Sequence, residues 1–284
     1  TWVDRLTDRD VRAIMQFVVV SLIVLPVLPA ETYGPFDVLN PRQIWWMVVL
    51  IVGLNLVGYG AYRVLGERAG TLLAGVLGGV VSSTATMVGY ARITKSRGGR
   101  EVTAITVVWI ASGMVFLRVL LEIGAVAPRF LPTAAPPLVI VFVVFAVLAI
   151  VTRRGHRDLE DLPIEPENPT ELKAAILFGV IYGVVLVAVA AAEAWAGGAG
   201  LYAAAAISGL TDVDALTLST SHLVAEGRLG EDLAWRIILT AALSNLVFKG
   251  MLAAAMGSRS FALRFARLSA VAFLVGVGLI ALWP

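Results

Sequence analysis

The stretch Ser208–Ser221, SGLTDVDALTLSTS, places two aspartates in one of the most apolar parts of the chain. An aspartate at the centre of a membrane helix costs about 2.5–3.5 kcal/mol. On a continuous helix, residues two apart point roughly 200° away from each other, so one carboxylate would face lipid or a packed neighbour. The sequence TDVD (211–214) also fits a helix start. The stretch therefore predicts a chain break at which both carboxylates face one polar space.

The whole chain is unusually apolar. Of its 284 residues 59% are hydrophobic and 15% charged, and the mean hydropathy is +0.88, values at which a soluble domain could not build its polar surface. Apolar segments near the 20-residue length that spans a bilayer recur throughout. They cover 11–30, 43–65, 70–92, 102–126, 137–152, 171–195, 200–222, 232–255 and 266–283. This pattern predicts an all-α polytopic membrane protein.

Composition also argues against several classes of protein function. The absence of cysteine removes disulfides, thiolate metal sites and cysteine nucleophiles, and a net charge of +2 gives no reason to expect nucleic acid as a partner. There is no P-loop, HExxH motif or nucleophile elbow. We therefore do not expect an enzyme, and one acting on a lipid is a remote alternative.

The two halves of the chain resemble each other. A shift of 130 residues lays 70–89 on 200–219, and one added residue in the following loop aligns the basic residues of the two halves. The superposed pairs are Gly70 and Gly200, Gly79 and Gly209, Ser82 and Asp212, Thr84 and Asp214, and Arg118 and Lys249. The pattern predicts a duplicated membrane unit.

Loop charges predict how the units lie in the membrane. If every segment spans, Lys and Arg divide nine to eleven and favour no orientation. If 70–92 and 200–222 are re-entrant hairpins, sixteen lie on one side and four on the other, as the positive-inside rule requires. The prediction is two inverted repeats, each of three transmembrane helices plus a re-entrant, broken hairpin, with one extra N-terminal helix. A parallel arrangement of full spans is the alternative.

These boundaries divide the chain into four parts. Residues 1–42 form an N-terminal amphipathic segment and the first transmembrane helix, and 43–152 form the first repeat. The polar, proline-containing stretch 153–170 is a linker, and 171–284 form the second repeat.

The hairpin tips are the candidate ion site. Hydroxyl and carboxylate oxygens suit a hard cation, Mg²⁺, Na⁺ or H⁺, and Asp212 and Asp214 are the expected metal ligands. No other cofactor is expected. The intramembrane counter-charges are Arg118, which has Glu122 one turn later, and Lys249. The candidate ion-binding residues are Ser82, Ser83, Thr84, Thr86, Thr211, Asp212, Asp214, Thr217 and Asn245.

Three other interpretations stay open. The aspartates can simply cap a half-helix. The half-helix N-termini can bind an anion together with Arg118 and Lys249. The chain can instead be a regulatory or assembly domain, which predicts a dry and fully paired interior.

Four stretches carry a resemblance to a known family: PVLPAETYGPFDVLNPRQIWW (26–46), LLAGVLGGVVSSTATMVGYAR (72–92), SGLTDVDALTLS (208–219) and SNLVFKG (244–250). They resemble the polytopic membrane domain that follows the MgtC-type domain in longer members of the MgtC/SapB family. The resemblance implies a multi-pass protein of a bacterial or archaeal inner (plasma) membrane, with an MgtC-like domain preceding Thr1. Its partners would be the lipid bilayer, a small ion and that domain, and a homo-oligomer is left open.

Overall fold

The computed structural model describes residues 7–65, 71–96, 101–154 and 172–284, and within these ranges it is helical without a strand. An amphipathic helix α1 (Asp8–Val18) continues through a π-helical turn (Val19–Val24) into a short α2 (Leu25–Val27). A 3₁₀ turn (Pro35–Asp37) precedes α3. The longer helices are α3 (Pro41–Leu65), α4 (Thr71–Ser96), α5 (Glu101–Val126), α6 (Leu131–Arg154), α7 (Leu172–Thr211), α8 (Asp214–Ala225), α9 (Glu231–Met256) and α10 (Arg259–Leu282).

The fold class predicted from the sequence is confirmed. Within the described ranges, eight helices are long and apolar enough to cross a membrane. Large apolar side chains point outward from several of them, including Val27, Ile207 and Leu274. Such an exterior suits lipid, which takes the place of an internal core for these side chains. Most of the predicted linker 153–170 lies outside the described residues.

Helix α4 folds back on itself at Ser82, whose backbone is extended (φ −165°, ψ 106°). Gly78 consequently packs against Thr86, although eight residues of straight helix would hold them about 12 Å apart. The first arm (71–81) runs parallel to α5, since Gly75 lies against Ile110 and Gly79 against Met114. The second arm (83–96) runs the opposite way. The hairpin therefore begins and ends at the same end of the bundle.

A second hairpin is formed by the inner part of α7 and by α8. Helix α7 breaks at Gly197, whose positive φ of 55° suits glycine, and its inner part (198–211) and α8 are each roughly 20 Å long, too short to cross a bilayer alone. The Phe36 ring contacts Trp195 at 6.1 Å between centroids, and the Phe36 carbonyl accepts a 3.4 Å hydrogen bond from Arg228. Both ends of this hairpin therefore lie together.

The two hairpins open at opposite ends of the bundle. Ser258, just past the end of α9, donates its backbone N–H to Thr94 Oγ1 at 3.1 Å and its hydroxyl to Glu101 at 3.5 Å, so the open end of the first hairpin lies beside it. Arg228, at the open end of the second hairpin, lies just before α9 begins. Since α9 is one uninterrupted helix of 26 residues, these positions are about 39 Å apart. This is the geometry that the loop charges predicted.

Matched contacts recur in the two halves. Gly79 packs against Ala111 as Gly209 packs against Ala241, and all four positions obey the shift of 130. At the first helical residue after each tip the offset is 131, because the second tip has two non-helical residues where the first has only Ser82. Ser83, rather than Thr84, is the counterpart of Asp214.

Candidate functional site

Arg118 of α5 connects the two hairpin tips. Its guanidinium pairs with Asp214 through two nitrogens, with Nε 3.1 Å from Oδ1 and Nη2 on Oδ2. Nη1 donates at 3.3 Å to the carbonyl of Val80, at the end of the first arm. The side chains of Arg118 and Asp214 are only 16% and 10% exposed. One buried cation thus binds the C-terminal end of one half-helix, where a positive charge is favourable, and the carboxylate of the first residue of another.

Lys249 of α9 makes the reciprocal contact. Its Nζ donates to Ser83 Oγ at 2.9 Å, and the residue is 2% exposed. Arg118 and Lys249 are 131 residues apart, and so are their partners Ser83 and Asp214. Each basic residue therefore reaches from its own half to the hairpin tip of the other half.

Capping accounts for Asp212 and Ser82. One Asp212 carboxylate oxygen accepts the backbone N–H of Asp214 at 2.9 Å, and the carboxylate also accepts that of Ala215. Ser82 Oγ accepts the N–H of Ala85 at 3.2 Å. Asp214 is different, because its carboxylate is the partner of Arg118. The two aspartates therefore have separate roles at one tip.

The remaining predicted residues support the tips. Asn245 donates from Nδ2 to the Gly209 carbonyl at 3.1 Å, satisfying an acceptor near the end of the inner helix. The hydroxyls of Thr86 and Thr217 donate to the carbonyls four residues earlier, at 2.8 and 2.9 Å, and keep only their acceptor capacity. The side chain of Thr211 lies outside what the structure describes.

Glu122 is the member of the site whose role the sequence understated. The expected i,i+4 contact with Arg118 is present at 3.4 Å, but the carboxyl is fully buried and its Oε2 has no hydrogen-bond partner among the described residues. Asp212 lies close enough for the two carboxyls to interact electrostatically. An acid in the middle of the apolar run VLLEIG was the available signal.

Further polar groups lie buried in the helices around the pair. Within the described ranges, the hydroxyls of Ser112 on α5 and of Thr220 and Ser221 on α8 have no hydrogen-bond partner. Most buried polar atoms in proteins do have one. The sequence STS in α8 was the signal for two of these hydroxyls.

The tips expose polar groups between the two ends of the bundle. Ser82, Thr84 and Asp212 are half-buried and Ala85 is exposed. Within the hydrocarbon layer of a membrane, irregular backbone is tolerated only inside protein or along a water-filled cavity. The partly exposed charges of the site therefore fit an aqueous crevice better than a lipid-facing surface.

The two aspartates do not form a ready-made metal site in this conformation. Across the described part of the chain, no group of three or more His, Asp or Glu side chains is gathered closely enough to hold a metal ion. Asp214 is bound to Arg118, and one oxygen of Asp212 is used in capping. A metal there would have to displace Arg118 from Asp214, so metal ligation by these residues stays a prediction.

Comparison with known proteins identifies relatives without a described activity. An uncharacterized protein of Aquifex aeolicus (strain VF5) is 27% identical over 202 residues, which are 68% of this chain and 85% of that protein. No solved structure matches the chain. The family described as "Domain of unknown function (DUF4010)" matches residues 49–257, a range that contains both hairpins, Arg118 and Lys249. Because this match covers most of the chain, the protein belongs to the DUF4010 family.

Proposed function

We propose that this protein is a secondary transporter of a small ion, built as two inverted repeats whose hairpin tips form the ion site. The observation that carries the proposal is the buried cluster of five ionisable groups between the two tips, centred on the pair of Arg118 and Asp214. Charged groups inside a membrane are costly and mark ion pathways. Broken helices that meet near the midplane are a common architecture of secondary transporters.

The charge balance of the cluster favours a monovalent cation. The cluster contains three carboxyl groups, of Glu122, Asp212 and Asp214, and two basic groups, of Arg118 and Lys249. When all five are ionised the cluster has one negative charge in excess, which a single H⁺ or Na⁺ neutralises. Mg²⁺ would leave an excess of positive charge. Of the three cations predicted from the sequence, we therefore favour H⁺ or Na⁺.

The cross-contacts suggest how binding would be coupled to movement. Arg118 is bound at once to its own hairpin, through Val80, and to the other hairpin, through Asp214. A cation that neutralises the carboxylates weakens the hold of Arg118 on Asp214, and the second tip is then released. Because the hairpins open at opposite ends of the bundle, such a release exposes the site alternately to the two sides.

The unpaired polar groups favour transport over the alternative of a regulatory domain. That alternative predicts a dry, fully paired interior, whereas Glu122 Oε2 and the hydroxyls of Thr220 and Ser221 have no partner among the described residues. From the resemblance to the MgtC/SapB family we further propose an inner-membrane location and an MgtC-like domain as a partner.

The test is ion flux in proteoliposomes. Purified protein would be reconstituted with dyes sensitive to H⁺, Na⁺ or Mg²⁺, beside Glu122→Gln, Asp212→Asn and the control Asp232→Asn, which makes the same chemical change at an exposed position of α9. We expect H⁺ or Na⁺ flux that falls by about tenfold or more in the two site variants, because each removes a charge that the ion neutralises. The control should transport like the wild type.

Two results would count against this function. One is the absence of flux for all three ions from wild-type protein that is folded and correctly reconstituted. The other is an equal loss of flux in Asp232→Asn and the site variants, which would separate transport from the charge cluster.

A further inference from the structure

Lys249 is a buried cation with no buried anion beside it. Its Nζ is hydrogen-bonded to the neutral hydroxyl of Ser83, and among the described residues no carboxylate lies within ion-pair distance of it. The charge that acts on it is that of Arg118, which has the same sign. An ammonium group on a residue that is only 2% exposed needs an anion or several hydrogen bonds to offset the loss of water. The single hydroxyl of Ser83 supplies only one of these hydrogen bonds.

The second hairpin contains the anion that the first one lacks. Asp214 occupies the first position of α8 and pairs with Arg118. At the equivalent place in the first hairpin stands Ser83, opposite Lys249. The two tips thus share a half-helix N-terminus and a basic partner from the other half. They differ in that the chain provides a carboxylate at only one of them.

The first tip is also accessible and offers hydrogen-bond donors. The second arm begins at Ser83, so its first backbone N–H groups point toward the tip, where Ser82 Oγ accepts the one from Ala85. Ser82 and Thr84 are half-buried and Ala85 is exposed. The partly exposed start of the second arm therefore lies beside the buried Lys249, which is hydrogen-bonded to Ser83.

We infer that the first hairpin tip binds a small carboxylate anion, held by Lys249, Ser83 and the start of the second arm, in the way that Asp214 is held by Arg118. Asp214 is the template for the chemical class, because its carboxylate fills the corresponding place in the other half. The inference rests on the proposed function in one respect: it takes the bound anion to be transported together with the cation.

Charge couples the two ligands. An anion beside Lys249 adds a negative charge to a cluster in which Glu122 and Asp212 already interact with each other. Binding of H⁺ or Na⁺ at those carboxyls then becomes more favourable, and by reciprocity the cation strengthens anion binding. The expected mode is symport of a carboxylate with a cation.

Binding is tested first, in detergent, without any need for transport. Pyruvate is a suitable probe because at neutral pH very little of it is in the acid form that crosses bilayers unaided. Equilibrium binding of radiolabelled pyruvate would be measured for wild type, Lys249→Gln, Lys249→Arg, Ser83→Ala and the control Lys173→Gln, an exposed lysine. Phosphate and chloride would serve as competitors, and gluconate as the background anion.

We expect saturable pyruvate binding that weakens by about tenfold or more in Lys249→Gln, less in Ser83→Ala, and is unchanged in Lys173→Gln. Lys249→Arg keeps the charge and should retain part of the affinity, which covers the case in which Lys249→Gln does not fold. The inference would be overturned if wild type showed no saturable pyruvate binding. It would also be overturned if Ser83→Ala and a folded Lys249→Gln bound pyruvate as tightly as wild type. Displacement of bound pyruvate by phosphate or chloride at equal or lower concentration would overturn the assignment to carboxylates.

Flux measurements then separate this inference from the proposed function. If pyruvate accelerates H⁺ or Na⁺ flux in wild-type liposomes and not in Ser83→Ala, both hold. Cation flux that ignores pyruvate would refute the anion site and leave transport intact. Lys249-dependent binding without flux of any ion would refute transport and leave the anion site intact.

Discussion

Arg118 and Asp214 are 96 residues apart in the chain and form a two-point ion pair in the middle of the bundle. The pair joins α5 of the first half to α8 of the second, and Lys249 and Ser83 make the reverse connection. The two halves are therefore linked at their most polar point. Any rearrangement of the hairpins has to break or exchange these contacts.

The Arg118–Asp214 pair should couple strongly in a double-mutant cycle. Arg118→Gln or Asp214→Asn alone leaves a buried charge without its partner, and we expect each to destabilise the protein by about 3 kcal/mol. The double variant should recover much of this loss, because neither charge is then left alone. The free energy of unfolding in a detergent mixture would be measured for wild type, the two single variants and the double variant. Additive losses would show that the two side chains do not depend on each other.

Gly209 should tolerate no side chain. A Cβ at this position would collide with the Ala241 backbone, 2.6 Å from its Cα, where the inner helix of the second hairpin crosses α9. We expect Gly209→Ala to cost about 1–3 kcal/mol through overpacking. Gly60→Ala is the matched control, since nothing lies within 4 Å of a Cβ placed there. Equal thermal stability of the two variants would contradict this close approach.

Asn245 should act through the Gly209 carbonyl. Asn245→Leu keeps a similar volume but removes the 3.1 Å hydrogen bond, so a buried acceptor is left unsatisfied at a cost of about 1–3 kcal/mol. Ser244→Ala provides a comparison, because Ser244 donates its own hydrogen bond to Ala206 one turn earlier. In flux assays we expect Asn245→Leu to be slower than wild type. Unchanged stability and flux would remove Asn245 from the site.

The absence of cysteine makes a topology test direct. Single cysteines at Gly198 and Ala225, the two ends of the second hairpin, should react with an impermeant maleimide from the same side of the membrane. Cysteines at Lys95 and Arg259 should react from the opposite side. Their neighbours Thr94 and Ser258 are hydrogen-bonded to each other at the other end of the bundle. Labelling of Gly198→Cys and Ala225→Cys from opposite sides would show that this segment crosses the membrane and would contradict the hairpin.

Much of the site could be predicted from residue type and position in the chain. A charged residue within an apolar run needs a partner, and this requirement alone identifies Arg118, Lys249, Asp212 and Asp214 as candidate members of the site. For Glu122 the sequence indicates only a helical neighbour of Arg118, because spacing shows contacts one turn apart and cannot show that Asp212 of the other half approaches it.

The partition between sequence and tertiary structure has a physical cause. The membrane class follows from hydrophobic runs of bilayer length, and the aspartates beside a glycine indicate where the chain breaks. Both depend on the local composition of the chain in water or lipid. Packing between helices far apart in the chain decides the rest. It determines which tip faces which basic residue, the one-residue shift that aligns Ser83 with Asp214, and the lack of an anion beside Lys249. Only the folded bundle brings those groups together.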